Sequence, residues 1–299
     1  METSVDQVSD FLLHLQQQGK AVNTIKNYRA AISAVHSRFP DQSSVGTNTV
    51  ISQVIRAIFH RTPSSKRLAP SWSINDVLAT LAEAPYEPLG DAPLELLTHK
   101  TLFLVAVASA RRRGCLHALS VRPGFMRFEP AGVRLIPNPE FLAKNQTESF
   151  TPEEIFLPTI DSVSTIREDK RWCPVRALKW YVDKTKHLRT SDRLFILPGR
   201  PFTPAAKDTI SRWIVDLIRP HSLPGESVRA HDVRSHATSR ARFRGIPLGD
   251  IIRAAAWKTP STFASVYLTD TLSAEGNFSR AALGTQRRDA PRPPSRPLC

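Results

Sequence analysis

Six residues spread along the 299-residue chain have the chemistry to cleave a phosphodiester without a metal ion. Arg112 stands in RRRGCLHALS and Lys144 in EFLAKNQ. His231 and Arg234 form a His-x-x-Arg in AHDVR, and Trp257 and Tyr267 lie close together in AAWKTPSTFASVYL. Guanidinium forks match phosphate oxygens in shape and charge. Lysine and histidine move protons, an indole N–H donates a hydrogen bond, and a phenol forms a covalent intermediate once its proton is drawn off. Each residue also has an ordinary role open to it. Lys144 reads as a solvated loop lysine, and Trp257 and Tyr267 (beside Phe263 and Val266) read as core. His231 gains weight from Arg234 one helical turn later, which puts both on one face.

These residues need elements to hold them. Over the first sixty positions Val5, Val8, Phe11, Leu12 and Leu15 recur at helical spacing. Gly19 is a stop, and Asn23 is the N-cap expected for a second helix with Ile25, Tyr28, Ile32 and Val35 on one face. Asn48 or Thr49 starts VISQVIRAIFHR, which carries Val50, Val54, Ile55 and Ile58. Lys20, Lys26 and Arg29 occupy the outer positions, as a DNA-clamping module or a plain solvated bundle would place them. Residues 1–62 are thus one helical domain. Residues 63–71, with Lys66 and Arg67 available to phosphate, are a linker.

Residues 72–284 read as a mixed, mostly helical domain. Ser73 caps SINDVLATLAEA, and LELLTHKTLFLVAVASA is a buried helix ending where Arg111, Arg112 and Arg113 begin. That placement brings charge to the edge of the core, where it needs an anion. FMRFE and GVRLIP alternate as a hairpin, EEIFLP is a third strand, and Lys144 falls on the turn between the second and third. Helices follow over PVRALKWYVDKTKHL, DTISRWIVDLI, HDVRSHATSRARF, DIIRAAA and TPSTFASVYL. Tyr28 and Tyr181 sit on apolar helical faces and read as core. Residues 285–299 are a Pro- and Arg-rich tail expected to be disordered. The fold class is therefore mostly α with a small β-sheet, α+β.

The net charge is +14 and the isoelectric point about 10.3. Arg287, Arg288, Arg292 and Arg296 against Asp289 give the tail +3, which leaves +11 for the body. A polyanionic partner is the implied class. Cys115, Cys173 and Cys299 have neither metal spacing nor an even disulfide count. No run of roughly 18 apolar residues forms a membrane span, and the N-terminus lacks a signal-peptide layout.

The order and local contexts of the six residues resemble the tyrosine recombinases, the phage-integrase superfamily. Arg112 with Leu116 and Leu119 matches that family's Arg-x-x-x-Leu-x-x-Leu, and this register singles out Arg112 among the three arginines. The closer likeness, carried by TVISQVIRAIFHR, ASARRRGCLHALSV, EFLAKNQ, CPVRALKWYV and AAWKTPSTFASVYL, is to the recombinases of DIRS-type retrotransposons. It runs from about Val8 to Leu268. The resemblance implies a helical core-binding domain and a catalytic domain that cleave and rejoin double-stranded DNA through a 3′-phosphotyrosyl link. Arg112 and Arg234 would hold the scissile phosphate, Lys144 would protonate the departing 5′-oxygen, His231 would assist proton removal, Trp257 would support the site, and Tyr267 would attack. It further implies no metal or nucleotide cofactor, a homotetramer on DNA and a monomer without it, a nuclear location, and a role in integrating a mobile element. Two departures are that Cys115 stands where the family often has an acidic residue, and that the chain starts at the first helix. They leave an alternative, a catalytically impaired relic acting only as a DNA-binding protein.

Overall fold

The computed structural model describes residues 2–62, 71–143, 146, 148, 154–160 and 168–260. The chain divides by its contacts into two units, Met1–Leu68 and Ala69–Cys299.

In the first unit α1 (Val5–Gln17), α2 (Val22–Val35) and α3 (Thr49–Arg61) enclose a core of Leu12, Ile25, Ile51 and Ile58, all essentially unexposed. α1 starts with a capping box, because Ser4 Oγ accepts from Gln7 N and the Gln7 side chain accepts from Ser4 N. Asn48 caps α3, its Oδ1 accepting from Ile51 N at 3.2 Å. Asn23 does not cap α2: the helix already begins at buried Val22, with Ala21 in the cap position and no side-chain bond. The apolar stripe of α2 is also narrower than its periodicity implies, since the helix buries only Val22 and Ile25. Tyr28, at the stripe's edge, is 43% exposed and meets Phe11 edge-on at 6.0 Å, so the expectation of a core tyrosine fails here.

The described helices of the second unit are α4 (Ile74–Leu81), α5 (Leu94–Ser109), α6 (Arg113–His117), α7 (Pro174–Thr185), α8 (Lys207–Ile218), α9 (Asp232–Phe243) and α10 (Leu248–Ala255). Ser73 caps α4 by accepting from Asn75 N. α5 is buried nearly all round and packs against α7, α8 and α9. Strands β1 (Met126–Glu129), β2 (Gly132–Leu135) and β3 (Ile155–Pro158) form an antiparallel meander in the order β1-β2-β3. Val133, Leu135, Ile155 and Leu157 turn into the core, and β3 packs on α5. Gly132 is required by this pairing, because a Cβ there would stand 2.2 Å from Leu157 O. The fold is thus mostly helical with one small sheet.

Inside α5 lies Lys100, with no exposed surface. Its Nζ donates to Leu81 O at 2.6 Å and to Glu87, which also takes two hydrogen bonds from Arg176 at 2.7 and 2.9 Å. Burial pushes the Glu87 carboxyl up, but the hydrogen bonds from Arg176 and Lys100 outweigh it and hold the group below the ordinary carboxylate range. This triad, partly open at Arg176, ties α5, α7 and the segment after α4.

Candidate active site

The buried run of α5 stops at Ser109, and Ala110 reverses the chain in the left-handed region at φ 50°. Arg111, Arg112 and Arg113 follow at once, beside the negative end of the α5 dipole, where cations are stabilised. The three arginines diverge. Arg111 is 5% exposed and reaches Glu154 O at 3.5 Å. Arg112 is half-buried in the N-cap position of α6. Arg113 is exposed and donates to Asp208 at 2.7 Å and Ser211 at 3.0 Å on α8.

A cleft of about 630 Å³ opens where this turn faces the start of α9. Arg111, Arg112, Arg113, Arg229, His231 and Arg234 all line it, over an apolar floor that includes Leu116, Ile214 and Val233. His231 is exposed and occupies the N-cap position of α9. Arg234, one turn on, is only 3% exposed. Its Nη2 donates to Ala255 O at 2.6 Å, and its guanidinium carbon stands 4.7 Å from the centre of the Trp257 ring. Trp257 is itself buried in a small cluster with Ala110, Ile251 and Ala255. The arginine turn, α9 and the end of α10 therefore meet at one place. Arg112, His231 and Arg234 share the cleft, and Trp257 supports it from behind Arg234.

Such a site concentrates positive charge against an apolar floor. Forked donors at that density suit the non-bridging oxygens of a phosphodiester. Arg111 and Arg229 were not singled out by the sequence. The first was masked by its position in a run of three arginines, and the second has no local motif. His236, five residues after His231, is buried away from the cleft and stacks on Trp72 at 4.3 Å with the rings 9° apart. Burial drives its pKa down to about 4, against a smaller upward pull from Glu226.

Lys144, Tyr267, Lys66 and Arg67, with the 285–299 tail, lie outside the described residues. Of the cations expected to meet DNA in the first unit, Lys20 and Lys26 are exposed, and Lys26 Nζ sits 5.7 Å from the Phe59 ring centre. Arg29 is turned inward onto the loop between α2 and α3, donating to Val45 O at 3.1 Å, to Gly46 O and to Ser52 Oγ at 3.0 Å. Among the described residues no group of three or more His, Cys, Asp or Glu is placed to hold a metal, and no helix is long and apolar enough to cross a membrane.

No family model matches the chain, and no curated protein matches it. Solved structures do. The XerH site-specific recombinase bound to palindromic difH substrate in a post-cleavage complex is 14% identical, with a TM-score of 0.60 over 94% of this chain and 73% of that one. The Tn1549 transposon integrase in complex with transposon right end DNA is 13% identical, with a TM-score of 0.58 over 94% of this chain and 88% of that one. The same integrase with a circular intermediate DNA gives a TM-score of 0.57 at 13% identity, over 92% of this chain and 84% of that one. The chain has the fold of the tyrosine recombinases.

Proposed function

We propose that this protein binds double-stranded DNA and cleaves and rejoins its strands through a tyrosine–phosphate intermediate. The observation that carries the reading is the shared cleft: Arg112 enters it from the end of α5, and His231 and Arg234 from the start of α9. The fold shared with recombinases and integrases held on DNA supports the same reading. In the reaction, Arg112 and Arg234 grip the non-bridging oxygens and stabilise charge as the phosphorus becomes five-coordinate. The Tyr267 oxygen bonds to phosphorus while the bond to the 5′-oxygen breaks. His231 draws off the phenol proton, and Lys144 returns a proton to the 5′-oxygen. Trp257 holds the Arg234 guanidinium in place. Energy is retained in the phosphotyrosine, so neither nucleotide nor metal cofactor takes part.

The segment likenesses to DIRS-type recombinases favour integration of a mobile element in the nucleus as the setting. Rejoining strands between two duplexes calls for four protomers on DNA, from a chain that is monomeric without it. The proposed organisation is a core-binding domain at 1–62, a linker at 63–71, a catalytic domain at 72–284 and a basic tail at 285–299. A second reading, a relic that binds DNA without cutting it, rests on Cys115. This residue is buried on α6 and brings a thiol where a carboxylate would orient an arginine.

The test uses nicked suicide duplexes. The wild-type chain should form a covalent adduct to a 3′-phosphate, unchanged by EDTA, and Tyr267→Phe should abolish it while Tyr28→Phe and Tyr181→Phe retain it. An adduct that forms normally in Tyr267→Phe overturns the mechanism. DNA binding without any adduct in the wild type selects the relic.

A further inference from the structure

The strand-transfer reading requires His231 and Arg234 to face the phosphate together, so α9 must hold one rotation about its axis. What fixes that rotation is not an apolar stripe. Of the six buried residues on α9, namely Val233, Arg234, Ser235, His236, Thr238 and Ser239, only Val233 is apolar. The buried face of α9 is thus mostly polar, so specific side-chain contacts contribute to setting its rotation.

We propose that Trp72 and His236 are positioning residues that lock α9 from the side opposite the cleft, with Ser71 and Glu226 fixing the loop that leads into it. The inference rests on the strand-transfer reading and adds to it two residues that touch no substrate. His236 comes two positions after Arg234, so the two side chains leave the helix about 200° apart. Arg234 lies over the indole of Trp257 at 4.7 Å, and His236 lies flat on the indole of Trp72 at 4.3 Å. The helix is therefore held between two indoles, and a rotation in either sense breaks one contact or the other. Trp72 is 2% exposed and His236 4%, so the stack is dry and close-packed. Burial keeps His236 neutral at pH 7, which makes the contact a stack of two uncharged rings.

The loop before α9 is tied to Ser71, the neighbour of Trp72. Ser71 N and Oγ donate to the two carboxylate oxygens of Glu226 at 2.9 and 2.6 Å. Leu223 N reaches Glu226 at 3.3 Å and Ser71 Oγ at 3.2 Å. Arg229 and His231, which line the cleft, follow Glu226 within five residues. Thr80 on α4 meets His221, earlier in the same loop, at 3.3 Å. Ser71 and Trp72, just before α4, and Thr80 on α4 thus contact both the helix and the loop that line the cleft.

Single-turnover adduct formation at saturating suicide duplex tests the proposal, with hydrogen exchange of the α9 amides as a readout that does not depend on catalysis. His236→Leu and Trp72→Leu keep apolar volume but lose the ring stack. Each should slow the chemical step by at least about tenfold, because small displacements of the phosphate-gripping groups are costly. DNA affinity should stay within about twofold, since it is carried by many phosphate contacts. The α9 amides should exchange faster in both variants. His236→Phe, which restores a flat apolar ring, should keep both rate and protection near wild type. If Trp72→Leu does not fold, His236→Leu decides. A His236→Leu chain with wild-type adduct rate and wild-type α9 protection overturns the lock. A wild-type chain that binds DNA and forms no adduct fails the strand-transfer reading instead, and exchange in α9 then still decides the lock by itself.

Discussion

Replacing Trp257 by alanine removes a buried side chain that joins the arginine turn, α9 and the end of α10. Its ring is 3% exposed, packs with Ala110, Ile251 and Ala255, and carries the Arg234 guanidinium carbon 4.7 Å from its centre. Emptying a buried aromatic site costs about 3–5 kcal/mol. A desolvated cation–π contact contributes up to about 2 kcal/mol. The two overlap, because the guanidinium forms part of the wall that the cavity would expose, so a total near 4 kcal/mol follows. That is a large share of the roughly 5–15 kcal/mol that holds a domain folded. Trp257→Phe keeps an aromatic face under the guanidinium and should lose only about half as much. Urea denaturation followed by circular dichroism gives both numbers. Arg234 would retain its bond to Ala255 O yet gain freedom about that bond, so Trp257→Ala should slow adduct formation beyond what its folded fraction explains. A stability loss below about 1 kcal/mol, or an adduct rate that tracks the folded fraction alone, would refute the view that this indole sets the Arg234 guanidinium.

Two further outcomes follow from buried ionisable groups. His236 is held at about 4 against an ordinary 6.5, so the fold favours its neutral form: the contribution is complete above about pH 6.5 and is lost as pH falls toward 4, by about 3 kcal/mol in total. The urea midpoint of the wild type should therefore fall relative to that of His236→Phe across this window, and a flat difference would show that the ring protonates freely in the folded state. Glu87→Gln keeps the shape of the triad but leaves Lys100, which has no exposed surface, with Leu81 O and a neutral amide. It should cost about 3–5 kcal/mol by denaturant unfolding, and a loss below about 1 kcal/mol would mean that Lys100 is not charged when folded.

What could be read in advance was local. Asn48 and Ser73 cap helices because a short polar side chain precedes an amphipathic run. The continuous apolar stretch of α5 marks a helix buried nearly all round, and the alternation in MRFE and GVRL marks the hairpin that IFLP extends to a meander. Periodicity did not give the width of a buried face, which is why Tyr28 lies outside its core and Asn23 lies inside its helix. Pairings across long stretches of sequence left no local trace. Lys100 reads as an error in an apolar helix until Glu87 and Arg176 are brought beside it, and neither Trp72 nor His236 announces the other. In the cleft, Arg112, His231 and Arg234 are expected together from the family resemblance, whose Leu116 and Leu119 register separates Arg112 from its two neighbours. Arg111 and Arg229, which share the cleft, are not.

One rule connects buried Lys100 and Arg234 with the exposed Arg171. Lys100 is anchored on Leu81 O, the last residue of α4, and Arg234 on Ala255 O, the last residue of α10. Arg171 reaches Ala82 O, in the C-cap position of α4. The final carbonyls of a helix have no partner within it and carry the negative end of its dipole, so they accept strongly from a cation. Such an acceptor differs from a carboxylate in one respect that matters here: it fixes the direction of a guanidinium without cancelling its charge. At Lys100 a carboxylate is added, and the charge is closed off inside the protein. At Arg234 the carbonyl of Ala255 and the face of Trp257 orient the group while its edge remains part of the cleft wall. The same anchoring chemistry serves packing at Lys100 and, on the proposed strand-transfer reading, would serve phosphate recognition at Arg234. At Lys100 the anionic partner is the Glu87 carboxylate, supplied by the fold itself.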